Sequence, residues 1–224
     1  MNTNPWALLW DVDGTLVDTA ELHFEAWVKL AREIDKPFTR ADFAATFGWR
    51  NVEIIPKLFG KEYDDEQIDR IGNRKEDLYR TEAEKGVVLL PGVRTLLDAI
   101  AAAGARQAIG SSAPRGNIDM LLRMTQTAPL FAAIVAMEDV RHGKPDPEVF
   151  VLGARKLGIA PERCIVFEDA PVGIQAAKAG GMRAVGITFV GHHSAAKLQA
   201  AGADLVVTSL DEITVDRLTA LLLP

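Results

Sequence analysis

The sequence predicts an α/β protein whose parallel sheet is flanked by helices and carries a helical insertion after its first strand. Two observations support this fold class. Beyond residue 91, helical patterns alternate with short apolar runs, which are typical of strands buried on both faces. Such alternation implies parallel pairing through right-handed crossovers. The first apolar run, residues 7–10, is separated from this series by a long stretch of mainly helical pattern.

Four helices are predicted in that long stretch. Apolar residues recur at near-helical spacing over residues 21–34. Thr39, followed three residues later by Asp42, is typical of a capping box at the start of a short helix. Helical patterns also cover residues 51–59 and 65–84, and the second of these is rich in charge, which usually indicates a solvated face.

The remaining predicted elements alternate regularly. Helices are expected at 93–103, 114–124, 147–157, 171–179 and 212–223, and strands at 106–110, 134–136, 164–167, 185–187 and 205–207. Gly104 suits the end of the first of these helices, and Pro114 suits the first turn of the second. We expect residues 1–18 and 87–224 to form one core, and residues 19–86 to form a small all-helical domain inserted over the edge of its sheet.

Composition narrows the class of protein. A chain of 224 residues can form a full core, and its net charge of −6 disfavours nucleic acid as a partner. The sequence contains neither a run of about 20 apolar residues nor a signal-peptide pattern, so we expect no membrane association. Cys164 is the only cysteine, and its strand-like setting predicts a buried thiol. These features fit a cytoplasmic protein, with a monomer as the default expectation.

Pairs of acidic residues follow two of the predicted strands. Asp11 and Asp13 lie one residue apart, so on extended chain their carboxylates point to the same side. At about 4 Å they would repel by about 4 kcal/mol at an effective dielectric near 20, which calls for a cation or a shared proton. Glu168 and Asp169 end another apolar strand and offer the oxygen ligands that Mg²⁺ prefers. A Mg²⁺ site is therefore predicted beyond the strand ends, with turn chemistry or acids placed for a helix dipole as the alternatives.

Two further segments could bind an anion beside these acids. Ser111 and Ser112 follow a predicted strand, and the next helix offers free backbone N–H groups, although serine before Pro114 is also a common helix opening. Lys144 is restricted by the proline after it, and a fixed ammonium there would offset charge on a nucleophile and a phosphoryl group. The alternative is a surface lysine in a proline-rich loop.

Together these segments resemble the four motifs of the haloacid dehalogenase superfamily. The stretch from Asp11 to Thr15 looks like the first motif, Ser111 the second, Lys144 the third, and Glu168–Asp169 the fourth. The resemblance covers essentially the whole chain. It implies a Rossmann-like core and a helical cap inserted after the first motif.

The resemblance also implies a Mg²⁺-dependent phosphatase acting on a small phosphorylated metabolite, with a sugar phosphate expected. Asp11 would be the nucleophile and form an aspartyl-phosphate, and Asp13 would be the general acid and then the general base. Asp11, the backbone carbonyl of Asp13, and Asp169 with Glu168 would hold Mg²⁺. Ser111 with Ser112, and Lys144, would bind the phosphoryl group.

Within the superfamily the chain looks most like the β-phosphoglucomutase-like subfamily. The match rests on the segment 18–23, in which His23 is expected to steer Asp13. Arg50 in the cap loop and Arg115 after the second motif are candidate ligands of phosphate or hydroxyl groups. Trp49 is a candidate for stacking on a sugar.

Two departures from the mutase pattern favour a phosphatase. Phe47 stands where a mutase has a lysine, and the residues after Ser111 differ from those of the mutase. The alternative is a β-phosphoglucomutase interconverting glucose 1-phosphate and glucose 6-phosphate. Lys75 lies near the position of a mutase cap lysine, but the surrounding helix is too charge-rich for a firm alignment.

A non-enzymatic alternative is a phosphoacceptor signalling module of the receiver type. Such modules also use strand-end aspartates, Mg²⁺ and a lysine. They are disfavoured here because the chain is longer and carries a cap. The adjacent His192 and His193 could suggest a metal site, but no matching ligands lie nearby in the sequence, so a surface loop is expected.

Overall fold

A computed structural model describes residues 5–223 and confirms the α/β architecture. Six strands form one sheet among these residues, and every neighbouring pair is parallel. The strands are β1 (Ala7–Trp10), β2 (Arg106–Gly110), β3 (Ala133–Val135), β4 (Cys164–Glu168), β5 (Arg183–Ile187) and β6 (Leu205–Val207). Their order across the sheet is β3-β2-β1-β4-β5-β6, so the first strand of the chain lies in the centre.

The central strand β1 is fully buried, as its apolar sequence predicts. Successive side chains of a strand point to opposite faces, so Leu8 and Trp10 join one hydrophobic cluster whereas Ala7 and Leu9 join the other. Trp10 also stacks on Phe167 of β4, with ring centroids 4.2 Å apart. The sheet is therefore packed on both faces.

The first four helices after β1 form a separate hydrophobic cluster, which we call the cap. They are α1 (Ala20–Glu33), α2 (Arg40–Thr46), α3 (Asn51–Leu58) and α4 (Asp65–Ala83). Thr39 and Asp42 form the predicted capping box at the start of α2. All four helices lie between the predicted boundaries at residues 19 and 86, which themselves stay predictions.

The remaining helices cover the two faces of the sheet. Helices α5 (Val93–Ala102), α6 (Arg115–Met124) and α10 (Val215–Leu221) pack on one face, and α7 (Glu148–Leu157), α8 (Pro171–Ala179) and α9 (Ala195–Ala200) pack on the other. Cys164 at the start of β4 is buried, as predicted, and burial raises the pKa of its thiol to about 12.

Two features near the C-terminus differ from the prediction. Helix α9 was not predicted, because six residues with Leu198 as their one buried member give no clear periodicity. The predicted helix over 212–223 is wrong in its first part, where a 3₁₀ turn precedes α10. Thr214 accepts a hydrogen bond from the backbone N–H of Arg217, so this cap fixes a later start for α10.

The strand order brings three strand ends to one place. Trp10 at the end of β1 lies level with Ile109 of β2 and Phe167 of β4. The residues that follow each strand therefore emerge side by side at the carboxyl edge, where open α/β sheets bind ligands. No helix in the described part of the chain combines the length and apolar character needed to cross a membrane.

Candidate active site

Lys144 joins two of the acidic strand ends. Its Nζ donates to Asp11 Oδ1 at 2.7 Å and to Glu168 Oε1 at 2.5 Å, and its side chain is almost fully buried. Burial disfavours the ammonium, but the two carboxylates outweigh this and raise the pKa of Lys144 above its ordinary value. A permanent positive charge thus lies between β1 and β4.

One ammonium does not balance the buried acids at this edge. Carboxylate oxygens of Asp11, Glu168 and Asp169 all lie within 4.8 Å of one another. Burial raises the pKa of Asp11 to about 7 despite Lys144, and burial together with Glu168 and Asp11 raises the pKa of Asp169 well above its ordinary value. The buried carboxyl groups outnumber the ammonium groups, and this excess favours the binding of a further cation.

The donor set fits Mg²⁺. Asp169 Oδ2 is buried and has no hydrogen-bond partner among the described residues, which suits a ligand position. Gly14 keeps this position open, because a Cβ at Gly14 would lie 2.2 Å from Asp169 Oδ2. Its φ of +81° also favours glycine. Clustered carboxylate oxygens are the hard donors that Mg²⁺ prefers.

Asp13 lies beside this cluster but its carboxylate has other partners. Thr19 Oγ1 donates to Asp13 Oδ1 at 2.5 Å, and His23 Nε2 lies 3.1 Å from the same oxygen. Burial opposes ionisation of Asp13, but His23 and Thr19 outweigh it and lower its pKa. The side chain of Asp13 is thus held apart from the carboxylates grouped around Lys144.

A lysine of the cap continues this chain of contacts. Lys75 Nζ lies 2.7 Å from His23 Nδ1, and the His23 ring stacks on Tyr79 at 4.0 Å between centroids. An ammonium can only donate, so Nδ1 is assigned as the acceptor and Nε2 as the donor to Asp13. Lys75 of the cap therefore binds Nδ1 of His23 and leaves Nε2 to donate to Asp13.

Glu76 binds the cap to the core. Its carboxylate accepts from Lys75 Nζ at 3.0 Å, from Asn51 Nδ2 at 2.7 Å and from Asn117 Nδ2 at 2.6 Å. Asn117 belongs to α6 of the core, and its Oδ1 accepts from Arg80 of α4 at 2.9 Å. One buried amide of the core thus contacts two charged residues of the cap.

A cleft lies between the core and the cap. Its floor includes Asp11, Asp13, Ser111 and Ser112. Ser111 is buried, and its hydroxyl accepts from the backbone N–H of Ala113 at 3.1 Å. The roof comes from the cap and includes Trp27, Thr46, Phe47, Trp49, Asn51, Ile54, Lys75 and Glu76.

The structure does not bring the two predicted arginine ligands to this cleft. Arg50 pairs with Glu53 at 2.7 Å and donates to the carbonyl of Arg141 at 3.2 Å, so it lines a neighbouring groove instead. Arg115 pairs with Asp139 at 3.0 Å. Both guanidinium groups form ion pairs with carboxylates outside the cleft, and neither arginine is among the described residues that line it.

Sequence reasoning missed part of the roof. The charge of α4 predicted a solvated face, but Lys75 and Glu76 are both buried. Lys75 lies four residues after Ile71 and four before Tyr79, both buried, so the helical phase of these apolar residues is a signal that could have placed it inside. The contact of Glu76 with Asn117 has no such local signal.

His192 lies in a loop, as predicted, but it packs against the cap and is not fully exposed. Its ring lies 4.9 Å from that of Phe47 and 5.6 Å from that of Phe43, between centroids, and it is half-buried. Burial lowers the pKa of His192. This loop of the core therefore supports the cap at a second place.

Comparisons with known proteins agree with this architecture. The model of the haloacid dehalogenase-like hydrolase family matches residues 7–181. The chain is 34% identical to a β-phosphoglucomutase of Bacillus subtilis, over 95% of this chain and 93% of that protein. It is 32% identical to a fructose-1-phosphate phosphatase of Escherichia coli, over 82% of this chain and 96% of that protein.

A solved structure extends the likeness to the whole architecture. It is a variant of CbbY from Rhodobacter sphaeroides in complex with xylulose-(1,5)bisphosphate. The two chains superpose with a TM-score of 0.81 at 28% identity, over 93% of this chain and 96% of the other. Similar proteins thus include one named for a sugar monophosphate and one bound to a bisphosphate.

Proposed function

The chain belongs to the haloacid dehalogenase-like hydrolase family, and we propose that it is a Mg²⁺-dependent phosphatase of a sugar phosphate that works through an aspartyl-phosphate. One observation carries the proposal: Asp11 lies on the floor of a cleft, beside Lys144 and with carboxylate oxygens of Glu168 and Asp169 within 4.8 Å. Similarity to a fructose-1-phosphate phosphatase supports the substrate class.

In this proposal Asp11 attacks phosphorus. A bond forms between a carboxylate oxygen of Asp11 and phosphorus as the bond from phosphorus to the leaving oxygen breaks. Lys144 holds Asp11 Oδ1 at 2.7 Å and so fixes the carboxylate in the cleft. Ser111 and Ser112 line the cleft just after β2 and, in this proposal, bind the phosphoryl oxygens.

Asp13 moves the proton. It donates a proton to the leaving alcohol in the first step. In the second step it removes a proton from a water that attacks phosphorus, as the bond from phosphorus to the Asp11 carboxylate breaks. The contacts from Thr19 and His23 keep Asp13 ionised in the free protein, which favours the second step. The negative charge of a bound phosphate raises the pKa of Asp13 and so favours its protonated form for the first step.

The acids around Lys144 would hold the metal. Asp11 and Asp169, with Glu168 and the backbone carbonyl of Asp13, would bind Mg²⁺, and the ion would offset negative charge on the carboxylates and the phosphoryl oxygens. The burial of Asp11, Glu168 and Asp169 lowers the effective dielectric around them, which strengthens these electrostatic interactions.

Phosphate release from a panel of sugar phosphates tests the proposal. Release should require Mg²⁺ and stop with a chelator. After rapid quenching of a turnover mixture, mass spectrometry should find a phosphoryl group on the peptide that contains Asp11. Turnover with no label on that peptide, at any quench time, contradicts the covalent mechanism.

The second candidate is a phosphomutase, which the similarity to a β-phosphoglucomutase favours. It predicts that β-glucose 1-phosphate with a trace of a glucose bisphosphate gives glucose 6-phosphate faster than free phosphate. NMR of the reaction distinguishes the two activities. A mutase must bind a second phosphate, and the cleft offers little for one.

A cytoplasmic monomer without nucleic acid or membrane partners stays a prediction from the sequence. Size-exclusion chromatography with light scattering tests the oligomeric state.

A further inference from the structure

The roof of the cleft is apolar apart from one ion pair, His23 and two neutral polar groups. Aromatic and aliphatic side chains make up most of it: Trp27, Phe43, Phe47, Trp49 and Ile54. Thr46 and Asn51 are the neutral polar members. Among the described residues that line the cleft, Lys75 is the only lysine or arginine.

The charge of Lys75 is already compensated. Its Nζ lies 3.0 Å from Glu76 Oε1 and 2.7 Å from His23 Nδ1, and it lies 5.4 Å from the centre of the Trp27 ring. Burial opposes ionisation of Glu76, but Lys75, His23 and Asn51 outweigh it and lower the pKa of Glu76. The roof therefore presents a fixed carboxylate beside its single cation.

The arginines nearest the cleft do not add positive charge to it. Arg50 pairs with Glu53, Arg80 with Asp77, and Arg115 with Asp139. A second phosphate or carboxylate on a substrate would lose its water at the roof and meet Glu76 without a free cation. Such a group would lose its favourable hydration free energy without forming a compensating ion pair.

The ion pair can still bind a neutral hydroxyl. A carboxylate has about four acceptor positions and an ammonium has three donors. Glu76 accepts three hydrogen bonds, from Lys75, Asn51 and Asn117, and Lys75 donates two. One acceptor position on Glu76 and one donor on Lys75 remain. A sugar hydroxyl can donate to the first and accept from the second.

We propose that this roof selects phosphomonoesters of uncharged sugars and polyols, and that Glu76 excludes substrates with a second anionic group. The inference rests on the proposed phosphatase function and specifies its substrate class. The aromatic faces contact the C–H faces of the polyol, the Lys75–Glu76 pair binds a hydroxyl, and Glu76 repels a distal phosphate or carboxylate.

A pair of substrates that differ in one charge tests the selection. Sorbitol 6-phosphate and 6-phosphogluconate have the same carbon chain, but the first ends in a hydroxymethyl group and the second in a carboxylate. The wild-type protein should favour sorbitol 6-phosphate in kcat/KM by at least about tenfold, because like charges brought together in a binding site oppose binding strongly. In Glu76→Gln this ratio should fall by about tenfold.

Asp69→Asn is the matched control. Asp69 lies on the same helix and is exposed, so its loss changes the net charge equally without changing the roof. The ratio should stay at its wild-type value. An equal fall in both variants would show a general charge effect and overturn the role of Glu76.

A second variant keeps the test independent of the folding of Glu76→Gln. Trp49 lies on a half-buried loop of the cap, so Trp49→Arg adds a cation to the roof without altering the ion pair. It should raise kcat/KM for fructose 1,6-bisphosphate relative to fructose 1-phosphate, whereas Trp49→Phe should not. No change in Trp49→Arg argues against charge selection by the roof.

The outcomes separate this inference from the proposed function. If wild-type protein hydrolyses both members of each pair equally well, the selection is overturned and the phosphatase function stands. If no substrate is hydrolysed, calorimetric binding of the same pairs to Asp11→Asn decides: tighter binding of the neutral members supports the selection even though the hydrolysis proposal fails. Equal binding, or none, overturns the selection as well.

Discussion

The floor and the roof of the cleft handle buried charge in different ways. The floor, together with the buried acids next to Asp11, places Asp11, Glu168 and Asp169 around one lysine, so carboxyl groups outnumber ammonium groups there. The roof pairs Lys75 with Glu76 one to one and surrounds the pair with aromatic rings. An excess of carboxylate suits a cation and chemistry at phosphorus, whereas a compensated pair suits recognition of neutral groups.

The two regions are also held in place differently. The floor follows directly from strand ends whose register is fixed by the backbone ladder. The roof depends on side-chain contacts between separate elements, such as that of Glu76 with Asn117. Changes on the floor should therefore affect the chemical step and metal binding, and changes on the roof should affect substrate choice and cap closure.

The largest expected effect is loss of the floor nucleophile. Asp11→Asn removes a nucleophilic oxygen and a candidate metal ligand, and kcat should fall by at least about 10³-fold. Steady-state phosphate release with Mg²⁺ measures it. Asp98→Asn, which removes an exposed carboxylate of α5, is the control and should keep wild-type activity. Comparable activity in both variants would remove Asp11 from the mechanism.

Replacing each buried lysine by methionine sharpens the comparison. Lys144→Met leaves Asp11 and Glu168 without their shared partner, so the free energy of unfolding should fall by about 3–5 kcal/mol. Lys75→Met should cost less, about 1–3 kcal/mol, because Asn51 and Asn117 still donate to Glu76. Urea unfolding without metal measures both values.

Metal should rescue only one of these variants. Added Mg²⁺ should restore part of the stability of Lys144→Met, since a cation on the floor can replace the lost ammonium. It should stabilise Lys75→Met only as much as it stabilises the wild-type protein, because this variant leaves the floor intact and no cluster of metal-ligating side chains is found at the roof among the described residues. Equal rescue of the two variants would mean that the floor has no special need for positive charge.

The sequence predicted the floor because its residues follow strands. Asp11, Ser111, Lys144 and Glu168 lie far apart in the chain, yet the rule that parallel strands share a carboxyl edge was enough to bring three of them together. Lys144 follows no strand, and it was predicted from its proline-restricted backbone and from the motif resemblance. The fold class was predictable for the same reason, since it depends on apolar runs and their alternation.

The roof was less predictable because its contacts are not local. Arg50 and Arg115 were predicted to bind a phosphate. In the structure Arg50 forms an ion pair with Glu53, and Arg115 forms one with Asp139. The Arg50–Glu53 spacing of three residues is a helical ion-pair spacing and could have indicated this. Nothing in the sequence of α4 places Asn117 of α6 against Glu76.

Stability should respond to pH and Mg²⁺ through the floor. Burial raises the pKa of Asp11 to about 7, above the unfolded value, so the metal-free folded protein binds this proton more tightly and loses stability as pH rises toward 7. Mg²⁺ offsets the charge that deprotonation creates. Its stabilisation, followed by thermal unfolding, should be about 2–3 kcal/mol larger at pH 8 than at pH 5.

Asp169→Asn provides the check on this pH dependence. The variant removes one candidate ligand and one unit of negative charge, so stability without metal should decline less with pH and the stabilisation by Mg²⁺ should shrink. A Mg²⁺ effect that is the same at pH 5 and pH 8 in the wild-type protein would contradict proton–metal competition at Asp11.

The smallest expected effect concerns the contact between cap and core. Asn117→Ala removes the group that donates to Glu76 and accepts from Arg80. The free energy of the contact between cap and core should therefore become less favourable by about 1–3 kcal/mol. Because Asn117 does not line the cleft, KM should rise more than kcat falls. Asn73→Ala, an exposed change on α4, should alter neither. A fall confined to kcat would show that Asn117 acts on the chemical step at the floor. The assignment of chemistry to the floor and of substrate recognition to the roof would then fail at this contact.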